Sequence, residues 1–211
     1  MCKIITNEML QEARDGARKC LSPYRFAHTE GVAAMAARLA ALYCPERENE
    51  LVAAALLHDI TKEMTGDEQL AIFTSLGVSL TEDERACPKI WHGMTAALVI
   101  PERFPHLATE AVVSAVRWHT TARASLTLTD ALIYLADYIE EGRRHGDCVA
   151  LRQRFFDAHP EKMTEAARRR HLAAVLAESL DLTMAAITRK GEPICQATLA
   201  AYEYLKEKKT L

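Results

Sequence analysis

The chain has 211 residues, of which 49% are hydrophobic and 26% charged, and its formal net charge is −3. That length supports one well-buried domain without demanding two, and the composition excludes a disordered chain. There is no basic excess of the kind a nucleic-acid binder carries, so an anionic ligand must be met by local groups. Cys2, Cys20, Cys44, Cys87, Cys148 and Cys195 lie far apart, with no C-x-x-C pair and no signal peptide before them. This spacing indicates neither a zinc knuckle nor a disulfide framework and reads as reduced thiols. No apolar run approaches the roughly 20 residues of a membrane helix, so a soluble, cytoplasmic protein with no membrane partner is expected.

Thr6 to Leu21 reads as a polar helix that Ser22-Pro23 punctuates. The next helix spans about Tyr24 to Tyr43, with an apolar stripe of Val32, Met35, Leu39 and Leu42 at spacings of three and four. His28 lies four residues before Val32 on that stripe, which aims an imidazole at the core. After the charged turn Pro45 to Glu50, Leu51 to Leu57 is apolar on every face, so this helix is expected to be buried. It therefore carries His58 and Asp59 into the interior, where an unpaired carboxylate is costly and a metal ion removes the penalty. A lone His-Asp pair is also a common dipeptide, and a helix C-terminus favours a histidinium by itself.

Asp67 to Leu76 reads as a short amphipathic helix stopped by Gly77, and Thr81 with Glu84 as a capping box, together forming a lid or connector. Trp91-His92-Gly93 precedes a helix from Met94 to Ile100 that Pro101 to Pro105 is expected to end. Thr109 to Thr120 has an apolar stripe of Val112, Ala115 and Val116, and His119 extends it. Thr120 to Thr129 reads as a loop. Ala131 to Ile139 is apolar nearly all round except for Asp137, an interior carboxylate in need of a partner. Three more helices are expected over Asp147 to Phe156, Thr164 to Arg189 and Pro193 to Lys208, with a break at Gly191-Glu192-Pro193. No strand alternation or repeat is visible, so the fold class is all-α. Arg168 to Arg170 reads as a solvated helix face, and His106, His145, His159 and His171 as surface residues.

The core-facing polar groups are thus His28, His58, Asp59, His92, His119 and Asp137, on five different helices or helix ends. Each has an ordinary structural reading alone; together, with no cysteine among them, they are most simply an open, catalytic metal centre. In that order they resemble the HD-domain metal-dependent phosphohydrolases, and more closely the bacterial YqeK-type symmetrical diadenosine tetraphosphate hydrolases. The matching strings are Arg25-x-x-His28, Leu57-His58-Asp59-x-x-Lys62, His92-Gly93, His119-Thr120-Thr121 and Ala136-Asp137-Tyr138-Ile139-Glu140-x-x-Arg143. The resemblance covers roughly Cys20 to Leu205. Ala122 stands where that family usually has glycine, and Glu141 where it usually has proline.

The resemblance implies a single HD-type helical bundle over 1–211, with a core at about 20–145 and C-terminal packing helices at about 147–208. It implies that His28, His58, Asp59 and Asp137 ligate an iron-type centre, of one or two divalent ions, with manganese, cobalt or zinc as other occupants. His92 and His119 then hold a second ion or substrate phosphates. Asp59 is the bridging carboxylate, and Lys62 acts on the developing charge or the leaving phosphate. Thr120 and Arg143, together with His28, His92, His119 and Asp137, contact the nucleotide, and Arg25 either joins them or pairs with an acid. The implied reaction is hydrolysis of diadenosine tetraphosphate to two ADP. The alternatives are a phosphatase of the same family acting on mononucleotides or other dinucleoside polyphosphates, a non-catalytic nucleotide sensor, and a purely structural bundle. A homodimer is the default oligomer.

Overall fold

Every residue from Leu51 to Leu57 is buried, and the helix they form is the central rod of the fold. The structure is a computed structural model that describes residues 4–211. Among the described residues it contains eleven α-helices and no strand, as the apolar spacing predicts. They are α1 (Asn7–Cys20), α2 (Pro23–Tyr43), α3 (Glu48–Leu57), α4 (Gly66–Ser75), α5 (Glu82–Ala86), α6 (Trp91–Arg103), α7 (Glu110–Trp118), α8 (Leu128–Ile139), α9 (Gly146–Asp157), α10 (Glu165–Arg189) and α11 (Gln196–Lys208).

The central helix α3 packs against α1, α2, α7 and α8, while α6 lies along α7. Small residues make this possible: Ala53, Ala54 and Ala55 are fully buried and let neighbours approach from all sides. The consequence is that α2, α3, α7 and α8 bring their polar ends together. On the far side of α8, helices α9 and α11 each pack on α10, and one continuous apolar core runs from Ile5 to Leu205. A smaller apolar cluster of Phe73, Leu80, Cys87, Ile90, Trp91, Met94 and Cys195 ties α4 and α5 to the start of α11.

The local starts and stops follow from side-chain chemistry. Thr65 with Glu68 and Thr81 with Glu84 form complete capping boxes at α4 and α5. Gly77 ends α4 in the left-handed region at φ 65°. Three expectations about helix bounds need correction. The helix expected from Met94 starts at Trp91, so His92 and Gly93 lie in the first turn of α6. Pro101 does not end its helix, because α6 continues to Arg103. A proline this close to a C-terminus removes one backbone bond, and the helix stops at Phe104, whose N–H donates to the Ile100 carbonyl. Nor does the loop before α8 extend to Thr129. The Thr127–Asp130 capping box starts the helix at Leu128. Buried Asp130 also accepts hydrogen bonds from Arg123 and Ser114.

His106, His145 and His159 are exposed as expected. His171 is not a surface residue: its ring stacks on Phe155 at 5.3 Å and its Nε2 donates to the Phe155 carbonyl at 3.0 Å. Cys20, Cys44, Cys87, Cys148 and Cys195 are free thiols, the last four buried; Cys2 lies outside the described residues. Of the described helices, α10 alone is long and apolar enough to cross a membrane, although the sequence shows no continuous apolar run of that length. Its Leu172, Val175, Leu176 and Leu180 are buried in the bundle.

Candidate metal centre and the cavity beside it

Three helix ends deliver most of the polar groups. His58 follows the last residue of α3 and His119 the last residue of α7. Both imidazoles are held the same way. His58 Nδ1 lies 2.6 Å from the Ala55 carbonyl, and His119 Nδ1 lies 2.7 Å from the Val116 carbonyl. A carbonyl only accepts, so each Nδ1 carries the proton and each Nε2 lone pair is free to bind a cation. His28, in the second turn of α2, is held by a carboxylate instead: its Nδ1 sits 3.1 Å from Glu140 Oε1. Its Nε2 lies 2.9 Å from Asp137 Oδ1 at the end of α8. His58 Nε2 is buried with no hydrogen-bond partner, and the buried His28 Nε2 meets the Asp137 carboxylate. Buried imidazole nitrogens turned toward carboxylates in this way are what a metal-ligand set looks like without its ion.

The ligand atoms form two overlapping triads, His28/His58/Asp137 and His58/Asp59/His119, each with its atoms within 4.8 Å of one another. His58 is common to both. Asp59 is almost fully buried and central. Its Oδ2 faces His58 Nε2 at 3.5 Å and Arg25 at 3.2 Å, while its Oδ1 faces His92 Nε2 at 3.3 Å and His119 Nε2 at 3.6 Å. Burial pushes the Asp59 carboxyl up, but the surrounding imidazoles outweigh it and hold the group well below the usual carboxylate range. Asp137 is held low in the same way, burial being overcome by the Arg143 guanidinium and by His28. Burial also works against a charged His28, yet its bonds to Asp137 and Glu140 raise it to about 9. Burial and neighbouring positive groups push His92 well down, and burial lowers His119, which favours the neutral form of both.

His92 belongs to neither triad. It stands beside them, its Nε2 3.1 Å from His119 Nε2 and 3.1 Å from the Lys62 ammonium. Thr61 anchors this side: its hydroxyl donates to the His92 carbonyl at 2.8 Å and lies 2.8 Å from the Thr95 hydroxyl. Lys62 is thus half-buried against the site rather than loose in solvent, and desolvation lowers its pKa.

The remaining site residues fall differently. Arg25 takes the pairing role, through Asp59. Arg143 donates to Asp137 Oδ1 at 2.6 Å and to the Asp137 carbonyl at 3.1 Å, so much of its guanidinium is committed to a carboxylate. It also lines a cavity of about 590 Å³ together with Tyr24, Arg25, His28, Glu140 and Arg144. Thr120 is not on that cavity. It lines a separate one of about 320 Å³, with Cys87, Ile90, Thr121, Ile187 and Thr198. Ala122 adopts φ 57°, in the left-handed region where glycine is unstrained, which accounts for a glycine preference at that position. Glu141 is exposed and pairs with Arg38 and Arg152.

Glu140 is the residue that sequence reasoning missed. It is buried beside Gly31 and Gly142, close enough that a Cβ on Gly31 would collide with its carboxylate. Its position three residues after Asp137 was the available signal, since that spacing puts both carboxylates on one side of α8. Carboxylates that orient a metal-binding histidine contribute about 10- to 100-fold in metal affinity. Glu140→Gln is therefore expected to weaken metal binding by about that factor without unfolding the protein, as metal titration followed by calorimetry will show.

Comparison with known proteins agrees with this arrangement. The model of the HD domain family matches residues 25–142. A symmetrical bis(5'-nucleosyl)-tetraphosphatase of Bacillus subtilis is 27% identical over 92% of this chain and 96% of its own length. The enzyme of the same name from Staphylococcus aureus is 31% identical over 64% of this chain and 68% of its own. Among solved structures, a protein from Clostridium acetobutylicum described as a predicted HD superfamily hydrolase involved in NAD metabolism superposes with a TM-score of 0.80. It is 28% identical, over 94% of this chain and 97% of its own. With the matched segment spanning Arg25 to Gly142, every histidine and carboxylate of the two triads included, the chain belongs to the HD domain family of metal-dependent phosphohydrolases.

Proposed function

We propose that the protein hydrolyses diadenosine tetraphosphate symmetrically to two molecules of ADP. The observation that carries this reading is the pair of triads sharing His58, with the Lys62–His92 pair alongside. The names of the relatives supply the substrate. In this reading His28, His58, Asp59 and Asp137 hold a divalent ion, ferrous iron by preference, and His119 with His92 holds a second ion or the phosphate oxygens. A bound divalent ion supplies Lewis acidity toward a phosphoryl oxygen and a lowered pKa for water. The residues do the rest. Asp59 faces three imidazoles and contributes negative charge to both triads. The Nδ1 hydrogen bonds to Ala55, Val116 and Glu140 fix the rings so that each Nε2 faces inward.

One water is consumed, its oxygen bonding to one of the two central phosphorus atoms while the central bridging P–O bond breaks. The departing ADP carries the electron pair of that bond. Lys62, half-buried beside His92, supplies positive charge or a proton to that oxygen. The test is a product assay in the absence of oxygen, with ferrous-loaded protein and chromatographic separation. ADP as the sole nucleotide product is expected. AMP with ATP would contradict the position of attack, and tight binding without turnover would replace the enzyme with a nucleotide sensor.

A further inference from the structure

The cavity that opens from His28 carries cations in two classes. Those on its inner wall are already matched: Arg25 by Asp59, Arg143 by Asp137, and His28 between Asp137 and Glu140. The outer wall differs. Arg144 and Tyr24 both line the cavity, both are exposed, and neither side chain has a hydrogen bond or ion pair among the described residues. Glu141, three residues before Arg144 in the chain, pairs with Arg38 and Arg152 instead.

Tyr24 is 83% exposed. It stands one helical turn before His28 on α2, about 6 Å along the axis, and lines the same cavity. An aromatic face and an unmatched guanidinium on one cavity are complementary to a nucleotide, which offers a flat base and an anionic phosphate. A cavity of about 590 Å³ is of ordinary size for such a group. Symmetrical cleavage requires both nucleoside halves to extend away from the metal centre, and this cavity provides one of the two directions.

We propose that Tyr24 and Arg144 form a binding arm for one nucleoside half of the substrate, the base stacking on the Tyr24 ring and the phosphate next to the sugar meeting the Arg144 guanidinium. The assignment rests on the function proposed above and adds to it the feature that separates a dinucleoside polyphosphate from a mononucleotide. Because the arm binds a part of the substrate remote from the reacting phosphorus, it acts on KM more than on kcat. Stacking tolerates any base, so the arm selects for a second nucleoside rather than for adenine.

The experiment is steady-state kinetics on diadenosine tetraphosphate with metal-loaded wild type, Tyr24→Ala, Tyr24→Phe and Arg144→Gln, with circular dichroism on each to verify the fold. KM is expected to rise about tenfold in Tyr24→Ala, the scale of one base stacked on an aromatic ring. It is expected to rise also in Arg144→Gln and to stay at the wild-type value in Tyr24→Phe, with kcat within about twofold throughout. An unchanged KM in Tyr24→Ala, while the wild type produces ADP, overturns the arm and leaves the reaction standing. A Tyr24→Phe variant as impaired as Tyr24→Ala also overturns it, since the ring would not be what binds. Wild-type protein that makes no ADP removes the functional reading first, and the arm with it.

Discussion

Replacing Asp59 with alanine is expected to abolish both metal binding and turnover while leaving the helical fold in place. The carboxylate is the group on which His58, His92, His119 and Arg25 all converge. Without it the second triad loses its anion and the imidazoles are left beside an arginine. Lewis-acid stabilisation of a phosphoryl group amounts to several kcal/mol, so the rate should fall by about a thousandfold or more. Two readouts separate this from simple instability. Metal content, measured by elemental analysis, should drop below about a tenth of the wild-type value. The thermal midpoint of wild type should rise on adding metal, since about 100-fold saturation stabilises by about 2.7 kcal/mol, or roughly 5–10 °C at this size. That of Asp59→Ala should stay where it is.

Lys62→Met is expected to give the complementary result, with metal retained and turnover lost. The ammonium group contacts His92 and none of the triad nitrogens, so its removal leaves the ligand sets intact. Methionine keeps the unbranched stem in its half-buried slot and removes only the charge. Losing one preorganised donor to the developing charge costs about 100- to 1,000-fold in kcat. The measurement is kcat beside metal content: a fall in both would make Lys62 a structural support, and unchanged kcat would remove it from the chemistry. His92→Ala serves as a reference, since it frees the lysine while keeping every residue of both triads.

Much of the centre was legible because its residues break strong local patterns. Leu51 to Leu57 leaves no face for His58 and Asp59 to reach solvent, and the stripes on α2 and α7 aim His28 and His119 inward by helical spacing alone. What the pattern could not show was which groups meet. That Arg143 would be occupied by Asp137, and that Thr120 would line another cavity, depend on how α8 and α7 pack and not on their periodicity. Glu140 escaped attention because a glutamate just past a helix end is ordinarily solvated, and only the glycines at 31 and 142 make room for it to be buried. Pro101 misled for the opposite reason. A proline is a strong local stop signal, but three residues from the end of α6 it removes too little to matter.

Reconstitution tests whether the two triads form a catalytic metal centre. Protein stripped with a chelator and checked by elemental analysis should hydrolyse diadenosine tetraphosphate no faster than buffer. Stepwise addition of ferrous iron under anaerobic conditions should restore ADP production, saturating at one or two ions per chain. Full turnover by the stripped protein, or saturation by iron with no recovery of ADP production, would contradict the account.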